Sequence, residues 1–136
     1  MSENTCPCCS EKPFAKCCAP FLDGSSKAKT VKQLMRARFC AYRLGGYGEF
    51  LFNTWHPNYC GGLTPQSLSG KTHNWQSLEV LQSEQQGDKG GVEFRANYID
   101  EHGDLQCHYE VALFLRHKGR WFYTDGKVQI TPVVSE

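Results

Sequence analysis

A chain of 136 residues is long enough for one hydrophobic core and short for two. Its 15 Lys and Arg against 14 Asp and Glu leave a net charge of +1, which excludes the strong basic field of a general nucleic-acid or membrane-surface binder. No segment approaches the ~18 consecutive apolar residues of a membrane helix, and MSENTCPCCSEK lacks a basic start followed by an apolar stretch, so a cytoplasmic protein with reduced thiols is expected.

In chain order, residues 1–29 hold five of the eight cysteines, followed by a polar stretch from Asp23 to Lys27 that reads as a linker. Thr30 and Gln33 have the spacing of a capping box, and Val31, Leu34, Met35, Ala41 and Tyr42 recur at helical period until Gly45-Gly46. A second, short helix is expected over Tyr47–Thr54, ending ahead of Pro57. Residues 58–74 show no period. From 75 to 131 the chain reads as strands, with the first clear alternation at Val92, Phe94, Ala96 and Tyr98. A turn over Glu101–Asp104 leads to a long strand over Leu105–Arg116. Lys118-Gly119 then turns into Trp121–Thr124, and Asp125-Gly126 ends or bends that strand before Lys127–Ile130. Such closely spaced hairpins imply antiparallel pairing and an α+β class.

The cysteines from Cys6 to Cys18 have the form C-x-C, eight residues, then C-C. In a reducing compartment this density points to a metal, and four soft thiolates suit tetrahedral zinc, although iron accepts the same donors. A segment so small has no core of its own, so the metal would supply its folding energy. Cys40, Cys60 and Cys107 stand alone and read as buried small hydrophobes.

This pattern resembles the SEC-C motif, the zinc-binding tail of the SecA translocation ATPase and of other bacterial proteins. Ser10 and Phe14 fall on the motif's serine and aromatic, and the resemblance assigns the metal ligands to Cys6, Cys8, Cys17 and Cys18. The motif usually has glycine where Cys9 and Glu11 stand, which implies backbone angles that other residues resist. Cys9 also places a fifth thiol near the site, open to exchange with Cys8. Further blocks, Leu34–Tyr42, Thr54–Pro57, Val92–Tyr98 and Gly119–Gly126, are similar to the YchJ-like family of uncharacterised bacterial proteins. That resemblance implies a SEC-C segment at 1–22. It also implies a nuclear-transport-factor-2-like (NTF2-like) domain at 30–131, a long helix set against a curved antiparallel sheet that forms a cone.

Arg38 falls near the centre of the apolar helical stripe. A buried arginine must be paired, since stranding its charge costs several kcal/mol, and Glu110 or Asp125 is the expected carboxylate. The alternative is that Arg38 snorkels to solvent at the helix rim. Tyr42, Trp55, His56, Tyr98, Trp121 and Tyr123 complete the pocket candidates, with His56 equally readable as a capping residue and Trp121 and Tyr123 as core. His108 and Glu110 share a strand face with Ala112 and Phe114, so no catalytic grouping stands out. No nucleophile motif, phosphate loop or cofactor fingerprint is present, and no enzyme class is indicated.

Two functions follow as expectations. The resemblance to SEC-C tails implies an adaptor that docks a protein partner through residues 6–18, in the secretion or translation machinery, with Lys12, Lys16, Lys27, Lys29 and an exposed Phe14 as the surface. The alternative is a small-molecule binder or enzyme using the cone pocket. Direct binding of nucleic acid is disfavoured by the charge balance.

Overall fold

The computed structural model describes residues 5–70 and 73–133. A 3-10 turn at Phe14–Lys16 and a short helix α1 (Ala19–Leu22) precede the main helix α2 (Val31–Leu44), which is followed by α3 (Gly48–Asn53) and α4 (Pro65–Leu68). The strands β1 (Asn74–Gln86), β2 (Lys89–Ile99), β3 (Leu105–His117) and β4 (Arg120–Pro132) then form an antiparallel meander in the order β1-β2-β3-β4. Among the described residues no helix is long and apolar enough to cross a membrane.

Helix α2 starts where its sequence dictates. Thr30 Oγ1 accepts from the Gln33 amide at 3.1 Å, and Gln33 Oε1 accepts from the Thr30 amide, so two otherwise unpaired donors are satisfied. Gly45, at a φ of 76°, ends it. The buried face carries Val31, Leu34, Met35, Arg38, Phe39 and Ala41 and lies against the sheet. There Val92, Phe94 and Ala96 of β2 and Ala112 and Phe114 of β3 close the core. Burying each of the larger aliphatic and aromatic side chains contributes about 1.5–3 kcal/mol.

Three local features differ from the pattern-based reading. Strand β1 buries only Leu78, so it shows no alternation to read. Helix α4 is capped by Thr64 with Ser67, a shorter partner than the Glu or Gln of the usual signature. Strand β4 continues through Asp125-Gly126; the irregularity lies one residue earlier, where Thr124 is the extra residue between the pairs Leu113–Asp125 and Phe114–Tyr123. Thr124 Oγ1 donates to the Leu113 carbonyl at 2.9 Å and fixes this bulge.

The chain after α3 is tied to β4 as well. The His56 amide donates to the Tyr123 carbonyl, and the Tyr123 amide donates to the Thr54 carbonyl, both at 2.8 Å. This short parallel bridge carries Trp55 to the mouth of the sheet.

Gly48 allows α3 and α4 to meet. A Cβ there would lie 1.8 Å from the Pro65 carbonyl oxygen and 2.7 Å from the Ser69 amide nitrogen, both backbone atoms that cannot turn aside. Gly48→Ala is therefore expected to cost about 1–3 kcal/mol by overpacking, read as a lower midpoint in urea unfolding followed by tryptophan fluorescence.

Candidate functional site

The cysteine segment folds into a compact loop. The Cys6 amide donates to the Lys12 carbonyl at 2.8 Å and closes it. The turn needs left-handed backbone at Cys9 (φ 67°) and Glu11 (φ 71°), the two positions at which glycine is usual in the SEC-C motif. Side chains there crowd the carbonyl that follows, a strain of about 1–2 kcal/mol per residue.

The loop brings the sulfurs of Cys6, Cys8, Cys17 and Cys18 within 4.8 Å of one another, with Cys8 and Cys18 almost fully buried. Cys8 Sγ lies 3.7 Å from Cys17 Sγ, which lies 3.9 Å from Cys18 Sγ. A tetrahedral ion held at about 2.3 Å by each thiolate sets its sulfurs about 3.8 Å apart, so the four residues fit such a metal. Ser10 Oγ is 3.1 Å from Cys17 Sγ, close enough to donate to a thiolate. Hydrogen bonds from Cys18, then Cys40, hold the Cys8 thiol far below its ordinary range, against the opposing effect of burial. Four protein thiolates would leave the ion no open position, so its contribution would be structural.

The fifth sulfur beside this cluster belongs to Cys40, where Cys9 was the expected neighbour. Cys9 is exposed, and its sulfur faces the Pro7 carbonyl at 3.8 Å. Cys40, buried on α2, places Sγ 3.5 Å from Cys6 Sγ. Cys60 and Cys107 are only partly buried and do not join the core expected of them. Arg36 and Arg43 flank Cys40 on α2 at helical spacing. Arg36 Nη1 donates to the Cys8 carbonyl at 2.8 Å, and Arg43 Nη1 donates to the Pro7 carbonyl at 2.9 Å. Phe14, expected to be exposed, packs half-buried against the core. The segment is thus clamped to the outer face of α2.

The opposite face of α2 lines a second feature. A cavity of about 250 Å³ lies between α2 and the concave side of the sheet. Met35, Phe39, Trp75, Phe94 and Ala96 form its apolar wall, and Arg38, Tyr42, Trp55, His108, Glu110 and Tyr123 its polar end, with His73 beside Trp75.

Arg38 is only 2% exposed, as its place on the stripe requires, and does not snorkel. Among the described residues it has no carboxylate partner of the kind expected. Nη1 donates to the Leu51 carbonyl at 2.9 Å and to Thr54 Oγ1 at 2.7 Å. The guanidinium carbon sits 4.7 Å from the Tyr123 ring centroid and 5.0 Å from that of Trp55. Burial pulls its pKa below the usual range, opposed by Tyr42, Tyr123 and Glu110.

Glu110 instead joins two other side chains. His108 Nε2 lies 2.8 Å from Glu110 Oε1, and the Tyr123 hydroxyl donates to Oε2 at 2.8 Å. Burial first, and Glu110 second, push the Tyr123 phenol well above its ordinary range, so it remains a donor. Gly126 across the sheet makes this arrangement possible, since a Cβ there would lie 2.3 Å from Glu110 Oε2.

Of the pocket residues expected from the sequence, the structure brings Arg38, Tyr42, Trp55, Glu110 and Tyr123 together. His56 lies outside, against Tyr59 and Phe122. Tyr98 backs His73 and Trp75 without lining the cavity, and Trp121 is buried elsewhere beneath Arg116. Asp125 is exposed, its Oδ1 3.3 Å from the Oγ1 of its neighbour Thr124, and makes no contact with Arg38 among the described residues. The pattern missed His108, His73 and Trp75. The two-residue spacing of His108 and Glu110 on one face was the available signal, and it did not show that both face a void.

A helix cupped by a curved meander, with a four-cysteine segment on its back, defines an NTF2-like protein that carries a SEC-C type motif. Residues 30–126 match the family model of the YchJ middle NTF2-like domain, and the chain belongs to this YchJ-like, UPF0225 family. It is 33% identical to a UPF0225 protein of Geobacter sulfurreducens, over 97% of this chain and 84% of the relative. A UPF0225 protein of Shewanella sp. strain MR-7 is 37% identical over 93% and 82% of the two chains. The solution structure of a SEC-C motif containing protein from Rhodopseudomonas palustris superimposes with a TM-score of 0.83 at 30% identity, covering 90% of this chain and 97% of that one.

Metal analysis of the purified protein is expected to find about one ion per chain, abolished by Cys18→Ser and unaffected by Cys9→Ser. Because glycine relaxes the left-handed turn, Glu11→Gly is expected to raise stability by about 1 kcal/mol, read as a higher urea midpoint of the metal-loaded protein.

Proposed function

We propose that this protein binds a small molecule in the cavity between α2 and the sheet, and that zinc held by Cys6, Cys8, Cys17 and Cys18 stabilises the outer face of the same helix. The all-sulfur donor set is what favours zinc. The observation that carries the cavity reading is Arg38. A nearly fully buried guanidinium with no carboxylate in ion-pair range among the described residues, on the wall of a void lined by aromatic rings, is costly as pure architecture. A ligand that presents an oxygen to it offsets that cost, while the aromatic walls take an apolar body. Pockets of this kind take compact molecules, and about 250 Å³ suits a one- or two-ring compound.

A second reading keeps the adaptor role, and one surface supports it. Lys12, Lys16, Lys32 and Arg36 line a groove beside the cysteine segment whose lining holds no carboxylate. In a chain of net charge +1 such a groove suits an acidic protein surface, with association that weakens as salt rises.

For the first reading, a thermal-shift screen of one- and two-ring carbonyl compounds is expected to give stabilising hits. Arg38→Met should weaken those hits roughly 10- to 100-fold, and full retention of binding in a folded Arg38→Met protein would sink the proposal. For the second, Lys12→Glu with Lys16→Glu is expected to abolish salt-sensitive binding of an acidic partner; a partner held equally by the double variant refutes it.

A further inference from the structure

Resting on the reading of the cavity as a ligand site, we infer that it is a proton-transfer site in which His108 removes a proton from the carbon beside a carbonyl of a small ring-bearing ketone, and Arg38 holds the oxygen that becomes negative. Three features of the cavity lead there.

The first is the fixed pairing of His108 with a carboxylate. A carboxylate acceptor on Nε2 selects the tautomer with hydrogen on that nitrogen and leaves the lone pair on Nδ1, which is the arrangement of an oriented imidazole base. Glu110 is itself held by the Tyr123 hydroxyl, and the sheet has no side chain at Gly126 where Glu110 sits. Glu110 thus acts as a positioning residue, and its charge favours the imidazolium that forms.

The second is the placement of charge. Arg38 is the cation among the cavity-lining residues, and its hydrogen bonds to the Leu51 carbonyl and the Thr54 hydroxyl both come from Nη1. A guanidinium offers further N–H donors, so a developing oxyanion can be met without breaking either bond.

The third is what the walls exclude. Glu110 lines the same small cavity, so a ligand that enters as an anion meets a like charge. A neutral ketone does not. Its negative charge appears only as the proton leaves, and it appears beside Arg38. Phe39, Trp75 and Phe94 accept an aryl or alicyclic body.

The step balances within the cavity. The C–H electron pair becomes the carbon–carbon double bond of an enolate, the carbonyl π pair moves to oxygen, and the proton goes to His108 Nδ1. Return of that proton to the same carbon exchanges it with solvent, and return to a conjugated carbon shifts a double bond. No oxidant, reductant or metal takes part.

The test uses the full-length metal-loaded protein and 2-tetralone, a two-ring ketone with exchangeable protons beside its carbonyl. Binding is read by quenching of tryptophan fluorescence and by saturation-transfer NMR, and exchange by loss of the ring CH2 signals in D2O. The wild type is expected to accelerate exchange by at least about 100-fold over buffer, the scale of one positioned general base. His108→Ala and His108→Gln, with melting temperatures confirming that both are folded, should return it to the buffer rate while the ketone still binds. Glu110→Gln should lower kcat at least tenfold with KM nearly unchanged, a split that a purely structural role does not produce. Bound ketone that exchanges at the buffer rate, or acceleration that survives in both His108 variants, overturns this inference and leaves ligand binding standing. Failure of the ketone to bind overturns both.

Discussion

The interior of this protein is organised around one buried positive charge. Arg38 lies on the core face of α2, where an unpaired cation is unfavourable by several kcal/mol, and the surrounding elements offset part of that cost without a carboxylate. The end of α3 supplies a carbonyl and a hydroxyl, and Trp55 and Tyr123 supply ring faces. Those two rings stand together because the backbone at Thr54–His56 pairs with β4, so the bridge, the bulge at Thr124 and the position of α3 all serve the same guanidinium. The aromatic face of Tyr123 serves the cation while its hydroxyl serves Glu110, which places two buried opposite charges on either side of one ring.

Helix α2 works on both of its faces. Arg38 and Tyr42 look into the cone, whereas Arg36, Cys40 and Arg43 hold the cysteine loop against the other side. The cysteine segment is therefore part of the packing of this helix. Four protein thiolates would leave an ion held there no open position, and this cluster lies on the opposite face of α2 from the cavity. The NTF2-like domain and the SEC-C type segment of this UPF0225 chain meet at one helix.

Parts of this were legible in the sequence for a physical reason. The start of α2 follows from the Thr30–Gln33 reciprocity, and the alternation in β2 follows from one face being buried. The left-handed turn at Cys9 and Glu11 was visible because the motif has glycine there and this chain does not. Strand β1 was not legible, since a strand with one buried side chain leaves no period. The pairing of Arg38 with Glu110 or Asp125 was the wrong conclusion from a correct premise: burial demanded partners, and those the structure supplies are a backbone carbonyl, a hydroxyl and ring faces.

The sequence by itself determined which residues could be metal ligands, that Arg38 would fall on the apolar stripe of its helix, and that antiparallel strands would follow the helices, because each depends on spacing along a single element or between neighbouring ones. Only the tertiary structure decided that Cys40 and not Cys9 would stand beside the sulfur cluster. It also decided that the His108–Glu110 pair would face a cavity, and that Trp75 and His73 would wall it. These are matters of which elements converge, and convergence is set by the curvature of the sheet and the close approaches permitted at Gly48 and Gly126, which no local period records.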